Sequence, residues 1–147
     1  MGADCSTIVQ VTRRLSASPK SVFDAWLDPD LVGRWMFGPL LRDEEVLRID
    51  IDPRVDGSFS FLVRRQGQEI DHIGTYLKLD APRRLVFTWA VAPAPVDSSR
   101  VTIELVPEEG GTQLTLTHEM APEWAAYKAK VEESWAKMLA TLEQVLA

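Results

Sequence analysis

The segment from Pro122 to Ala147 reads as one long amphipathic helix, whereas most of the chain before it alternates with a period of two. Trp124, Tyr127, Val131, Trp135, Met138, Leu142 and Val145 recur at three- and four-residue steps, which places them on one helical face. Lys128, Lys130, Glu132, Glu133, Lys137 and Glu143 fall largely on the other. At about 1.5 Å per residue such a helix is about 39 Å long, enough to cross a small domain. Its inner face is bulky and irregular, suited to filling a core or to lining a cavity.

The order of the other elements can be read from their periods. Thr7 to Arg14 is rich in β-branched residues and predicts a first strand. Ser18-Pro19 and Asp28-Pro29 each pair an N-cap with proline at the first helical position, so two short helices should follow, the second ending near Trp35. From Glu45 onward the apolar residues alternate. Leu47-Ile49-Ile51, Phe59-Phe61-Val63, the run Ile70 to Leu79, Leu85-Phe87-Trp89-Val91, Val101-Ile103-Leu105 and Leu114-Leu116-His118 give six strands. Mostly short turns join them, which predicts an antiparallel meander with one buried face. The C-terminal helix is the one large apolar stripe available to cover that face. The expected class is therefore α+β, a bent antiparallel sheet wrapped around the long C-terminal helix.

Charge and composition exclude several functions. With 22 acidic and 16 basic residues the net charge is −6, whereas neutralising phosphates requires clustered Lys and Arg, so no nucleic-acid partner is expected. The pairs Arg13-Arg14, Arg64-Arg65 and Arg83-Arg84 sit near predicted strand ends and read as solvated edge charges. No apolar run approaches the roughly 20 residues of a membrane span, so membrane insertion is not expected. Gly2 and Ser6 match a loose myristoylation pattern that is too common to weigh. Cys5 is the single cysteine, which leaves no internal disulfide and favours a cytoplasmic location.

Local wording narrows the reading. Residues 18–26, Ser-Pro-Lys-Ser-Val-Phe-Asp-Ala-Trp, resemble the opening of proteins related to the activator of the heat-shock-protein-90 ATPase. Arg34-Trp35-Met36-Phe37-Gly38-Pro39 is similar to that family's Trp-Trp-Gly-Pro loop with one extra residue. The stretch from Tyr76 to Trp89 resembles its central hairpin, and Gly110 to Glu119 its last strand. The resemblance spans essentially all of 1–147 and implies a single START-like domain of helix-grip (START/Bet v 1-like, SRPBCC) fold, with a stress-response association. Two departures stand out. The family often has Gly-Gly where this chain has Asp56-Gly57, and Gly-Trp where it has Ser134-Trp135; each adds a side chain that should reshape a cavity.

The candidate ligand-binding residues are those expected to converge between helix and sheet. They are Trp35 and Phe37 after the second helix, Phe59, Phe61, Tyr76, Phe87 and Trp89 on the strands, and Trp124, Trp135 and Met138 on the C-terminal segment. His72 and His118, the only histidines, complete the set, and with Tyr76 they are the available polar contacts. His118 shares parity with Leu114 and Leu116 and should face inward, whereas the direction of His72 stays open. No Ser or Cys lies in a nucleophile motif beside either, so no catalytic residue is assigned. Asp71 and Glu119 alternate away from His72 and His118, which leaves too few ligands for a metal. By parity Glu104 should be solvated, and no acid–base dyad stands out. Residues 90–95 read as a hairpin loop stiffened by Pro93 and Pro95.

The expected function is non-catalytic binding of a small hydrophobic or amphipathic molecule, with no cofactor. The alternatives are a partner-binding module for a chaperone ATPase, which the resemblance implies, and a cyclase- or hydrolase-type enzyme using the same cavity. The sequence leaves the oligomeric state open.

Overall fold

The computed structural model describes residues 7–38 and 44–146; Gly2, Cys5 and Pro39 lie outside the described residues. Strand β1 (Thr7–Leu15) leads into helices α1 (Pro19–Ala25) and α2 (Pro29–Trp35). Both helices start as their sequences dictate. The Ser18 hydroxyl accepts the Ser21 amide at 3.2 Å, and the Asp28 carboxylate accepts the Asp30 amide at 3.0 Å. Trp35 Nε1 donates to the Ala25 carbonyl at 3.0 Å and locks the helical pair together.

The sheet strands follow as β2 (Glu45–Ile51), β3 (Ser58–Arg65), β4 (Gln68–Asp80), β5 (Arg84–Thr88), β6 (Ala90–Val91), β7 (Arg100–Glu108) and β8 (Gly111–Met120). Their order is β1-β8-β7-β5-β4-β3-β2, all antiparallel, with β6 pairing to β4 off this path. Helix α3 (Lys128–Leu146) closes the chain and buries Trp135, Met138, Leu139, Thr141 and Leu142 against the sheet. This is the helix-grip α+β arrangement. The register aligns the inward residues across strands: Val101 opposes His118, Ile103 opposes Leu116 and Leu105 opposes Leu114, all buried, while Glu104 is exposed. Arg13 of β1 pairs with Glu143 of α3 at 2.6 Å, a half-exposed link worth little beside this burial.

Two expectations need correction. The C-terminal segment is not one α-helix, because Pro122–Tyr127 forms a 3-10 helix and the α-helix begins only at Lys128. In a 3-10 turn residues i and i+3 eclipse, so Trp124 and Tyr127 pack edge to face at 5.6 Å, 47% and 54% exposed, instead of being buried with the inner face of the α-helix. The set Leu85-Phe87-Trp89-Val91 is not one strand either. It breaks at Trp89, whose amide turns away to the Ser99 carbonyl, and β6 resumes against His72 and Ile73.

That break lies beside Gly74 of β4, where the neighbouring backbone approaches closely. A Cβ there would run into the Thr88 carbonyl oxygen and the Phe59 ring, the residue Gly74 opposes in register. Gly74→Ala should therefore lower stability by about 1–3 kcal/mol through overpacking. A urea midpoint matching that of the parent would show the packing around Gly74 to be looser than described.

Candidate ligand-binding site

One end of the inner face is not filled. A cavity of about 470 Å3 lies between the first half of α3, the end of α2 and the loop that joins β6 to β7. Phe37, His72, Trp89, Trp124, Trp135, His118 and Met138 line it, with Val131 and Ser134 of the C-terminal segment, as does a set of residues the sequence did not single out as a wall: Met36, Arg65, Met120, Ser98 and Ser99. Half-exposed Val91 and Trp124 mark where the lining meets solvent.

The remaining residues of the expected set lie elsewhere. Trp35, Phe59, Phe61, Tyr76 and Phe87 are buried deeper along the same strands and helix, in the packed core. Phe59 sits 4.6 Å from Phe61 and 5.4 Å from Tyr76, ring centre to ring centre, so these rings face each other. Tyr76 is 2% exposed. Burial, and after it the Asp52 carboxylate, pushes its hydroxyl well above the usual tyrosine value. As a polar contact for a molecule in the cavity it is out of reach.

His118 is held by a hydrogen-bond chain that runs from helix to strand. Trp135 Nε1 lies 3.1 Å from His118 Nδ1, and an indole nitrogen can only donate, so Nδ1 is the accepting nitrogen. The proton of the neutral ring is then on Nε2, which donates to Ser99 Oγ at 2.8 Å. Ser99 in turn donates to the Trp89 carbonyl. Burial lowers the His118 pKa from 6.5 to about 4, partly opposed by Glu119. The indole donor works in the same direction, because an imidazolium has no lone pair to receive it.

This chain superficially resembles a serine–histidine nucleophile pair, but its polarity is reversed. A general base must accept the serine proton, whereas His118 Nε2 already carries one and presents it to Ser99. The arrangement fixes the Trp135 indole and the loop at Ser99 in place. His72, 7% exposed, donates from Nδ1 to the Phe61 carbonyl at 3.1 Å and packs its ring against Phe37 and Trp89. Among the described residues no three of His, Cys, Asp or Glu gather closely enough to hold a metal ion.

The two departures from the family wording separate here. Ser134 stands on the cavity wall. Asp56 does not: it occupies the turn before β3 with φ of 69°, its amide bonded to the Tyr76 carbonyl at 2.8 Å. A second glycine is favoured there by left-handed backbone geometry, so the expected effect of Asp56 on the cavity is corrected to one on the turn. Arg65 is the other correction. It shares the inward parity of Phe59, Phe61 and Val63 and reaches the cavity, not bulk solvent alone.

The model of the "Activator of Hsp90 ATPase homolog 1-like protein" family matches residues 16–147. The chain belongs to this family, within the START/SRPBCC superfamily. Solved structures agree on the fold. A Chromobacterium violaceum protein is 27% identical with a TM-score of 0.81, over 95% of this chain and 96% of its own. An AHSA1-like protein from Aeromonas hydrophila is 22% identical at 0.78, covering 94% and 90%. The Aha1 dimer from Colwellia psychrerythraea is 20% identical at 0.74, covering 95% of each chain. No functionally curated protein matches the sequence. Family and fold together place the chain among ligand-binding or partner-binding modules. Among the described residues no helix is long and apolar enough to cross a membrane.

Proposed function

We propose that this AHSA1-like protein is a single START-like domain, acting in the cytoplasm, that binds a small apolar or amphipathic molecule between α3 and the sheet without transforming it. The cavity of about 470 Å3 carries the reading: its volume lies inside the roughly 300–1,000 Å3 range of small-molecule sites. The reversed polarity of the Ser99–His118 contact argues against catalysis by that pair.

Energetics says what else the ligand needs. Burying about 300 Å2 of apolar ligand surface yields roughly 7 kcal/mol at about 25 cal/mol per Å2. Association costs at least about 4 kcal/mol, so apolar burial alone leaves affinity in the millimolar range or weaker. Polar contacts must supply the remainder. Both His118 nitrogens are already engaged, which leaves the serine hydroxyls as the contacts within the described wall.

Protein purified from its native host, denatured and extracted, should release a small organic molecule detectable by mass spectrometry in near-stoichiometric amount. The emptied protein should bind the neutral fluorophore N-phenyl-1-naphthylamine saturably at one site. Neither release nor saturable binding would leave the cavity reading without support.

A second reading rests on family membership: a partner-binding module in a stress response, engaging a chaperone ATPase through the exposed Trp124–Tyr127 pair beside the cavity. Stimulation of an Hsp90-type ATPase that is lost in Trp124→Ala would favour it over the first.

A further inference from the structure

Among the described residues the wall of the proposed ligand-binding cavity carries one permanent cation, and the way that cation is held bears on which molecules can enter. Arg65 ends the inward row of β3, after Phe59, Phe61 and Val63, and its side chain lies on the cavity wall. A bare guanidinium at the edge of an aromatic cavity is a receptor for carboxylates and sulfonates. This one is not bare. Its Nε donates to Glu44 Oε1 at 2.7 Å, and its Nη2 approaches the same oxygen. The Glu44 side chain is 1% exposed, whereas that of Arg65 is 40% exposed. The carboxylate is thus buried behind the arginine and neutralises it from the protein side.

Among the described residues the rest of the wall offers rings and hydroxyls but no further charge. Phe37, Trp89, Trp124 and Trp135 present aromatic surfaces, and Met36, Met120 and Met138 add polarizable sulfur. Ser134 projects from α3 into this space, and among the described residues nothing exchanges a hydrogen bond with its hydroxyl. It can both give and accept one. Ser99 Oγ, already donating to the Trp89 carbonyl, is left with acceptor capacity.

We propose that the cavity selects neutral, flat aromatic molecules bearing one hydrogen-bonding group, and that Glu44 sets this selectivity by cancelling the charge of Arg65. An anion entering would give up water with no uncompensated cation among the described residues to receive it, a cost that a neutral ring system avoids. The overall charge of −6 works in the same direction at longer range. Ser134 is the contact expected for the ligand's polar group. The inference rests on the cavity being a binding site, and the test separates the two.

Two fluorophores share one anilinonaphthalene scaffold and differ by a sulfonate: N-phenyl-1-naphthylamine is neutral, and 1-anilinonaphthalene-8-sulfonate is anionic. The parent protein should bind the neutral probe at least tenfold more tightly, by fluorescence titration at pH 7.5. Glu44→Gln should raise affinity for the anionic probe at least fivefold and change that for the neutral probe less than twofold. Ser134→Ala should weaken the neutral probe, whose amine then loses its partner. Equal or tighter binding of the sulfonate by the parent overturns the selectivity and leaves the cavity reading standing. Saturable binding of neither probe overturns the cavity reading and this inference with it. If Glu44→Gln does not fold, the affinity ratio in the parent decides alone.

Discussion

Trp135→Ala should cost about 3 kcal/mol, toward the low end of the roughly 3–5 kcal/mol typical of large-to-small aromatic core changes. The ring is 2% exposed and meets Trp26, Trp89 and His118 at centroid distances of 6.2, 5.5 and 5.9 Å. Deleting it removes this packing and leaves His118 Nδ1 without its donor, a further loss of about 1–3 kcal/mol if no water replaces it. Against this, one side of the indole already borders the cavity, so fewer packing contacts are lost than at a site enclosed all round. Trp135→Phe separates the contributions, because it keeps most of the ring and removes only the N–H. Urea unfolding of both variants gives the energies, and titration with N-phenyl-1-naphthylamine reports the cavity. The alanine variant should show a changed probe affinity, since a wall has moved. A large stability loss with no probe binding to parent or variant would identify Trp135 as core alone and end the ligand-binding reading.

The fold was legible in the sequence because the two signals that determine it are both periodic. Leu114, Leu116 and His118 announce an inward face by alternation, and Trp135, Met138 and Leu142 announce the stripe that covers it. Periodicity was insufficient where two geometries share a spacing. Trp124 and Tyr127 are three residues apart, which suits an α-helix and a 3-10 helix equally, and only the hydrogen bonds distinguish them. The break at Trp89 was hidden for another reason: it lies beside the close approach of Thr88 to Gly74, residues on different strands that no local pattern brings together.

The candidate site was legible by face but not by depth. Phe59, Phe61 and Arg65 share one parity on β3, yet only Arg65 reaches the cavity while the two phenylalanines lie in the packed core. Alternation tells which way a side chain points; position along the strand tells what it meets there. The serines had no periodic signal. Ser134 stood out only against the family's glycine, and Ser99 owes its place to a loop that returns to His118 from across the sheet.

Acid should destabilise this protein partly through one residue. His118 titrates near 6.5 when exposed in the unfolded chain and at about 4 in the folded protein, so between these values the unfolded state binds more protons. The sign follows directly: stability due to keeping this ring neutral is complete above about pH 6.5, drains away as pH falls toward 4, and loses nothing further once the native ring is also protonated. The fall from 6.5 to about 4 corresponds to about 3 kcal/mol, each tenfold change in proton affinity being about 1.36 kcal/mol. The ring is 4% exposed, so solvent screening does not erode this figure much. Carboxylates titrate over the same range, and only a comparison isolates the histidine. His118→Gln cannot titrate, while His72 and every acidic group stay common to both proteins. Unfolding free energies from urea titrations between pH 7.5 and 4 should therefore converge or cross, the parent losing about 3 kcal/mol more than the variant. Trp135→Phe should show a smaller pH-dependent loss than the parent, because without the indole donor Nδ1 is free to take a proton. Parallel pH profiles for parent and His118→Gln would mean that His118 is not held neutral by its surroundings, and that the chain from Trp135 through His118 to Ser99 does not persist in solution.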